Sequence, residues 1–230
     1  MIVAIDGPAG SGKSTVARAV AAREGLTYLD TGAMYRAVTC AALERGVDVR
    51  DADALAELAR ALDIALEPGE GGERVSVDGA DRTSQIRTPE VDANVSAVAA
   101  VPAVREAMVE AQRSLAEGAD VVAEGRDIGT VVFPGAEVKV FLTADPAARA
   151  HRRAAQRLGA DAAREASDAK VDKAEERRVE AELIARDRAD SSRAASPLRA
   201  ADDAVHIDST ALTVDEVCDR IARLIAEARA

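Results

Sequence analysis

Near its start the chain reads Gly7-Pro8-Ala9-Gly10-Ser11-Gly12-Lys13-Ser14, the spacing G-x-x-x-x-G-K-[ST]. Glycines at these positions let the backbone turn tightly and aim its N–H groups inward at a phosphate. A lysine placed like Lys13 reaches the β- and γ-phosphates, and the Ser14 hydroxyl is a ligand for Mg²⁺. The start of the following helix adds positive potential. Gly7 to Ser14, with Thr15 next in the chain, is therefore expected to bind a nucleoside triphosphate. The context agrees. Ile2–Ile5 is a short apolar run that reads as a buried strand, and Ser14–Glu24 has helical spacing. This motif does not say what accepts the phosphate.

Three further clusters bear on the acceptor. They are Leu29-Asp30-Thr31-Gly32-Ala33-Met34-Tyr35-Arg36, then Glu124-Gly125-Arg126-Asp127-Ile128-Gly129, then Arg186 to Arg193. The first two put an arginine where a loop or helix start could face the phosphate loop. In the third, Arg186, Asp190 and Arg193 are four and three residues apart, which predicts one helical face. Two cations and a carboxylate there suit a phosphorylated, hydroxyl-bearing substrate. The same spacing also suits a solvated ladder of ion pairs.

Composition narrows the classes. The chain has 230 residues and a net charge of −11, with 30 basic and 41 acidic residues. A nucleic-acid binder shows a basic footprint, and none exists globally. Aromatics make up only 2%, which argues against stacking platforms for single strands. Asn94 is the only asparagine and Val95 follows it, so the guanine-reading N-K-x-D motif of switch GTPases is impossible. Cys40 and Cys218 lack metal-ligand spacing and read as two free thiols. No stretch approaches the ~18 apolar residues of a membrane span, and no signal segment opens the chain. A cytoplasmic monomer without nucleic-acid or membrane partners is expected.

The elements that must position these groups follow from pattern. Alanine supplies 53 residues, which favours helix. Strands are expected at Leu26–Leu29, 121–123, Val138–Leu142 and Ala204–Ile207. Helices are expected at Ala33–Arg45, Asp51–Leu62, from Pro89 and Pro102 onward, over most of 147–190, and at Thr213–Ala228. Strand alternating with helix predicts an α/β fold with a parallel central sheet flanked by helices. Residues 63–87, rich in turn signals, predict a small antiparallel insert. The expected division is a core of 1–30, 118–150 and 190–230, an acceptor-binding region of about 31–117, and a short lid of about 155–170.

With these motifs assembled, the sequence resembles the bacterial cytidylate kinases, which are nucleoside monophosphate kinases of the P-loop kinase class. The resemblance runs from Ile2 to the C-terminal helix. It rests on Ile5-Asp6-Gly7-Pro8 with the phosphate loop, Asp30 to Arg36, Ile86-Arg87-Thr88-Pro89-Glu90-Val91, Val104-Arg105-Glu106, Glu124 to Pro134, and the Arg186/Asp190/Arg193 set. It implies transfer of the γ-phosphoryl group of ATP to CMP or dCMP with Mg²⁺. It implies that Thr31, Ser96, Arg105 and Asp127 read the cytosine, whose N4 amino group suits a carboxylate acceptor. It also implies that Arg36, Arg126 and Arg193 clamp the CMP phosphate and that Tyr35, Arg186 and Asp190 hold the sugar. Arg153 and Arg157 would act on ATP beside the lid, and Lys13, Arg126, Arg186 and Arg193 would be the catalytic cations. Thr31 stands where many members carry serine, and the hydroxyl is kept.

An already ionised acceptor phosphate needs no general base, so His151 and His206 are read as structural. Two other readings stay open at this level. One is a P-loop kinase for UMP, a nucleoside or shikimate. The other is a nucleotide-dependent switch without turnover.

Overall fold

A computed structural model describes residues 1–69, 72–159 and 171–230. The chain forms two compact units, Met1–Tyr28 with Gly118–Ala230, and Leu29–Glu117.

The first unit is built on a five-stranded sheet. Its strands are β1 (Ile2–Asp6), β2 (Thr27–Asp30), β6 (Val121–Gly125), β7 (Val138–Thr143) and β8 (Val205–Asp208), in the order β2-β6-β1-β7-β8. β1 pairs in parallel with both β6 and β7, placing Asp6 opposite Gly125 and Phe141. Every residue of β6 is buried, and only Ile2 of β1 is partly exposed. That is why these strands read as apolar runs and not as alternating ones. β7 alternates buried and half-buried residues, and β8, at the edge, buries only Ile207. Helix α1 (Lys13–Glu24) and the C-terminal helix α8 (Val214–Arg229) pack on this sheet through Val16, Val20, Val217, Ile221 and Ile225. Helices α6 (Pro146–Arg157) and α7 (Lys173–Ser191) pair through Ala150, Ala154, Val179 and Leu183, and the Ala9 methyl joins that cluster.

The second unit holds α2 (Thr31–Glu44), α3 (Ala52–Ala61), α4 (Pro89–Val98) and α5 (Pro102–Leu115). It also holds an antiparallel sheet of β3 (Ile64–Gly69), β4 (Gly72–Val77) and β5 (Ala80–Asp81), followed by a 3₁₀ turn at Gln85–Arg87. Its own core centres on Met34, Val38, Leu55, Val75, Ile86, Val98 and Val104.

Local chemistry sets the boundaries. Asp30 accepts the Ala33 N–H at 3.0 Å, so α2 begins at Thr31, two residues before the expected start at Ala33. Asp51 caps α3 in the same way. β6 continues two residues past the expected end at Ala123, so Glu124 and Gly125 are strand residues. The expected helical run of 147–190 is two helices, α6 and α7, and the expected lid at 155–170 lies from 160 onward outside the described residues. Arg193, expected on one helical face with Arg186 and Asp190, lies beyond the helix, because α7 ends at Ser191 and Ser192 caps it. Cys40 and Cys218 are buried free thiols. Among the described residues no helix is long and apolar enough to cross a membrane.

Candidate active site

The phosphate loop connects β1 to α1. Gly7 has φ 150°, and a Cβ there would lie 2.1 Å from the Leu142 carbonyl oxygen of β7. Only glycine lets the loop leave the sheet so closely. Gly10 also has positive φ and backs onto the Arg149 backbone of α6, where a Cβ would sit 3.0 Å from the carbonyl.

Side chains from elsewhere in the same unit hold the loop. Arg149 Nη1 donates to the Ala9 carbonyl at 3.0 Å and to Asp187 Oδ2 at 2.5 Å. The Ser209 hydroxyl lies 3.1 Å from the Ser11 carbonyl and 3.0 Å from the Thr143 carbonyl. Arg152 donates to that hydroxyl at 3.0 Å and to the Ser209 carbonyl at 2.7 Å. The Ser11 hydroxyl is buried without a hydrogen-bond partner among the described residues. It is a donor placed in a loop whose motif suits phosphate oxygens.

Lys13 opens α1 and is buried, its ammonium donating to the Pro8 carbonyl at 2.8 Å. Burial lowers its pKa to about 7, with the Arg126 guanidinium pushing the same way and the Glu124 and Asp6 carboxylates opposing. Asp6 moves in the other direction. Burial raises its carboxyl to about 6, against the Gly129 and Ile128 N–H groups that favour the charged form. Ser14 sits beside Lys13 in the first turn of α1. Mg²⁺ prefers oxygen ligands and typically keeps waters and substrate phosphates with one or two protein groups. The Ser14 hydroxyl fits that role. Among the described residues no group of three or more His, Cys, Asp or Glu could hold a metal ion.

Asp190 organises the arginine cluster of this unit. It is 1% exposed and accepts Arg126 Nε at 3.0 Å through one oxygen and the Arg193 guanidinium through the other. Arg126 also donates to the Gly125 carbonyl at 3.2 Å. Arg193 thus rejoins Asp190 from outside the helix. Arg186, half-buried on α7, adds its charge to the field that lowers the Lys13 pKa. Asp127 is buried at the end of β6, and its carbonyl accepts the Val131 and Val132 N–H groups, opening a π-turn over Ile128–Val132.

In the second unit, Thr31 is the buried first residue of α2. The Arg105 guanidinium stacks over the Tyr35 ring at 5.1 Å and donates to the Ala99 carbonyl at 3.2 Å. Arg36 donates to the Ile86 carbonyl at 3.0 Å and pairs with Asp92 at 2.5 Å. That ties it to the Ile86–Val91 motif. Ser96 is half-buried on α4.

Arg153 and Arg157, read from the sequence as ATP ligands, stand near the end of α6. Arg153 donates to Gln156 at 2.8 Å, and Arg157 pairs with Glu175 at 3.4 Å and Glu182 at 2.6 Å. Of the other α6 arginines, Arg149 donates directly into the phosphate loop and Arg152 is joined to it through Ser209. Sequence reasoning passed over both, and over Ser209. Arg149 and Arg152 differ from Arg153 by helical phase alone, and nothing local marks Ser209. His151 lies 2.6 Å from Glu176, and the His206 ring lies against Phe141.

Comparison with known proteins agrees across the whole chain. A family model described as Cytidylate kinase matches residues 3–227. A cytidylate kinase of Limosilactobacillus reuteri (strain DSM 20016) is 50% identical over 223 residues, covering 97% of this chain and 94% of that protein. One from Streptomyces avermitilis is 47% identical over 234 residues, covering 100% of this chain and 94% of that protein. A bifunctional pantoate ligase/cytidylate kinase of Synechococcus elongatus is 50% identical over 228 residues, which is 97% of this chain and 41% of that protein. Among solved structures, an uncharacterized protein from Eubacterium ventriosum ATCC 27560 has a TM-score of 0.50 at 14% identity, covering 99% of this chain and 98% of its own. That likeness speaks to the fold alone. A match spanning nearly every residue, and relatives that share about half of them end to end, leave one assignment: the chain belongs to the cytidylate kinase family.

Proposed function

We propose that the protein transfers the γ-phosphoryl group of ATP to CMP or dCMP, giving ADP and CDP or dCDP. The observation that carries this reading is the buried Asp190 carboxylate holding Arg126 and Arg193 together, in the same unit as a phosphate loop with a buried lysine. A protein that only bound and hydrolysed a triphosphate would have no use for a second phosphate clamp.

The roles follow from the chemistry of each group. Gly7, Pro8, Ala9, Gly10, Ser11, Gly12, Lys13, Ser14 and Thr15 take the triphosphate, with Arg153 and Arg157 assigned to the same ligand. The Ser14 hydroxyl, together with the substrate phosphates, would hold Mg²⁺, which when bound would supply positive charge against the transferring group. In the Leu29–Glu117 unit, Thr31, Ser96 and Arg105 are assigned to the cytosine, Tyr35 to the sugar and Arg36 to the CMP phosphate. In the other unit, Asp127 accepts from the N4 amino group, Arg186 and Asp190 hold the sugar, and Arg126 and Arg193 grip the phosphate. A guanidinium has five N–H donors, so the contacts of Arg126 to Asp190 and Gly125 leave donors for a phosphate.

Phosphoryl transfer between in-line oxygens leaves the protein chiefly to position and neutralise. Lys13, Arg126, Arg186 and Arg193 supply that positive charge. The acceptor phosphate has its second pKa near ~6 and is mostly a dianion at neutral pH, so no side chain need remove a proton. The buried thiols suit a reducing compartment, and the same proposal takes the protein as a cytoplasmic monomer, which sedimentation in purified form checks.

The test is ADP production from Mg·ATP with CMP, dCMP, UMP, AMP and shikimate as separate acceptors. Turnover with CMP and dCMP and little with AMP or shikimate is expected. Saturable ATP binding with no acceptor-dependent ADP would overturn the reading.

A further inference from the structure

Asp6 ends β1, one residue before the phosphate loop, and apart from its charge acting on Lys13 no role assigned above uses its carboxylate. The residue is 4% exposed. Both of its oxygens are engaged, each accepting one backbone N–H, from Ile128 at 2.8 Å and from Gly129 at 2.8 Å. These amides belong to the first residues of the π-turn Ile128–Val132, where a helical turn leaves its N–H groups without partners of its own. The turn directly follows Arg126 and Asp127. A further tie to this dipeptide is the Asp127 carbonyl, which accepts Val131 N–H at 2.8 Å and Val132 N–H at 3.1 Å. Gly129 is held close as well, since a Cβ there would meet the Lys139 side chain at 3.2 Å and Asp6 Oδ2 at 3.5 Å.

An ionised carboxylate only accepts hydrogen bonds and can take two parallel N–H donors. A carboxamide of the same shape accepts with one atom and presents its own NH₂ to the second N–H. The site therefore needs a carboxylate, not merely a polar side chain of that size.

We propose that Asp6 is a positioning residue for the acceptor. By holding the Ile128 and Gly129 amides, it fixes the direction in which Arg126 and Asp127 leave β6. It thereby sets both the grip on the CMP phosphate and the choice of cytosine over uracil. This rests on the reading of Arg126 and Asp127 given under Proposed function.

The test compares wild type with Asp6→Asn and Asp127→Ala. In each, KM for CMP, the ratio of kcat/KM for CMP over UMP, and Kd for ATP are measured. Amide exchange of the segment 126–133 is followed in the same proteins. For Asp6→Asn the expected result is a KM for CMP raised tenfold or more, a CMP:UMP preference reduced at least fivefold, ATP affinity within threefold of wild type, and faster exchange at Ile128 and Gly129. A merely structural role would instead move ATP and CMP affinity together and leave the base preference alone, and that result overturns the proposal. If Asp6→Asn does not fold, Asp6→Glu keeps both acceptor oxygens, displaces them by one methylene and is judged by the same numbers. If Asp127→Ala leaves the CMP:UMP ratio unchanged, the assignment of Asp127 to the base falls. The Asp6 proposal then stands or falls on KM for CMP and on exchange at the two amides.

Discussion

Binding of ATP near neutral pH is expected to draw protons from solution onto Lys13. In the ligand-free protein this ammonium is buried, lies in the field of Arg126, and has a pKa of about 7. A sizeable share of the molecules is then uncharged there near neutral pH. A bound triphosphate supplies several negative charges beside it and restores the charged form. The uptake should rise with pH across the range around the ligand-free pKa of about 7, small at pH 6 and larger at pH 8. Calorimetric titration with a non-hydrolysable ATP analogue, in buffers of different ionisation enthalpy, reads the number directly. Subtracting the same titration of Lys13→Met removes the nucleotide's own ionisation. The linkage has a counterpart in stability. Because the folded pKa lies below the unfolded one, the unfolded chain binds more protons between about pH 7 and 10.5, and ligand-free stability rises with pH across that window. At about 1.4 kcal/mol per pKa unit, the full shift from 10.5 to about 7 corresponds to an effect of order 5 kcal/mol. Wild type should show this rise in its urea midpoint relative to Lys13→Met. Equal proton uptake by the two proteins at pH 7 and pH 8 would refute the account.

Asp190→Ala leaves the Arg126 and Arg193 guanidiniums together without the buried carboxylate that joins them. A loss of about 3 kcal/mol is expected, seen by calorimetry as a Tm lower by roughly 6–12 °C, and a fall under 2 °C would contradict it. Gly7→Ala places a Cβ 2.1 Å from the Leu142 carbonyl oxygen, so ATP binding by titration should be lost while the Leu29–Glu117 unit keeps its circular dichroism contribution. Thr213→Ala removes the hydroxyl that accepts the Glu216 N–H in the capping box at the start of α8, while the backbone N–H of residue 213 still donates to the Glu216 carboxylate. It is expected to cost about 1 kcal/mol in urea unfolding, with KM for ATP and CMP unchanged.

Much of this protein was legible in local pattern, and the reason is that those features depend on near neighbours. The glycine spacing of 7–12, the apolar runs of β1 and β6 and the Pro-led starts of α4 and α5 act over a few residues. So does the antiparallel insert, whose turn signals lie between short strands that pair in sequence order. Charge, the lone Asn94 and the scarcity of aromatics excluded whole classes of function without reference to any contact.

Tertiary structure alone decided which of several similar groups face the phosphate loop. Arg149, Arg152, Arg153 and Arg157 share one helix and one chemistry. The packing of α6 onto α7 and onto Ala9 puts Arg149 on the Ala9 carbonyl and Arg152 on Ser209, while Arg153 and Arg157 also meet Gln156, Glu175 and Glu182. Ser209 meets Ser11 from 198 residues away, and Asp6 meets Ile128 from 122 residues away. Nothing in the neighbourhood of either residue records that partner. The lowered pKa of Lys13 and the raised pKa of Asp6 have the same origin. Both come from burial and from charges brought close by strand register, and a side chain's desolvation is a property of everything packed around it.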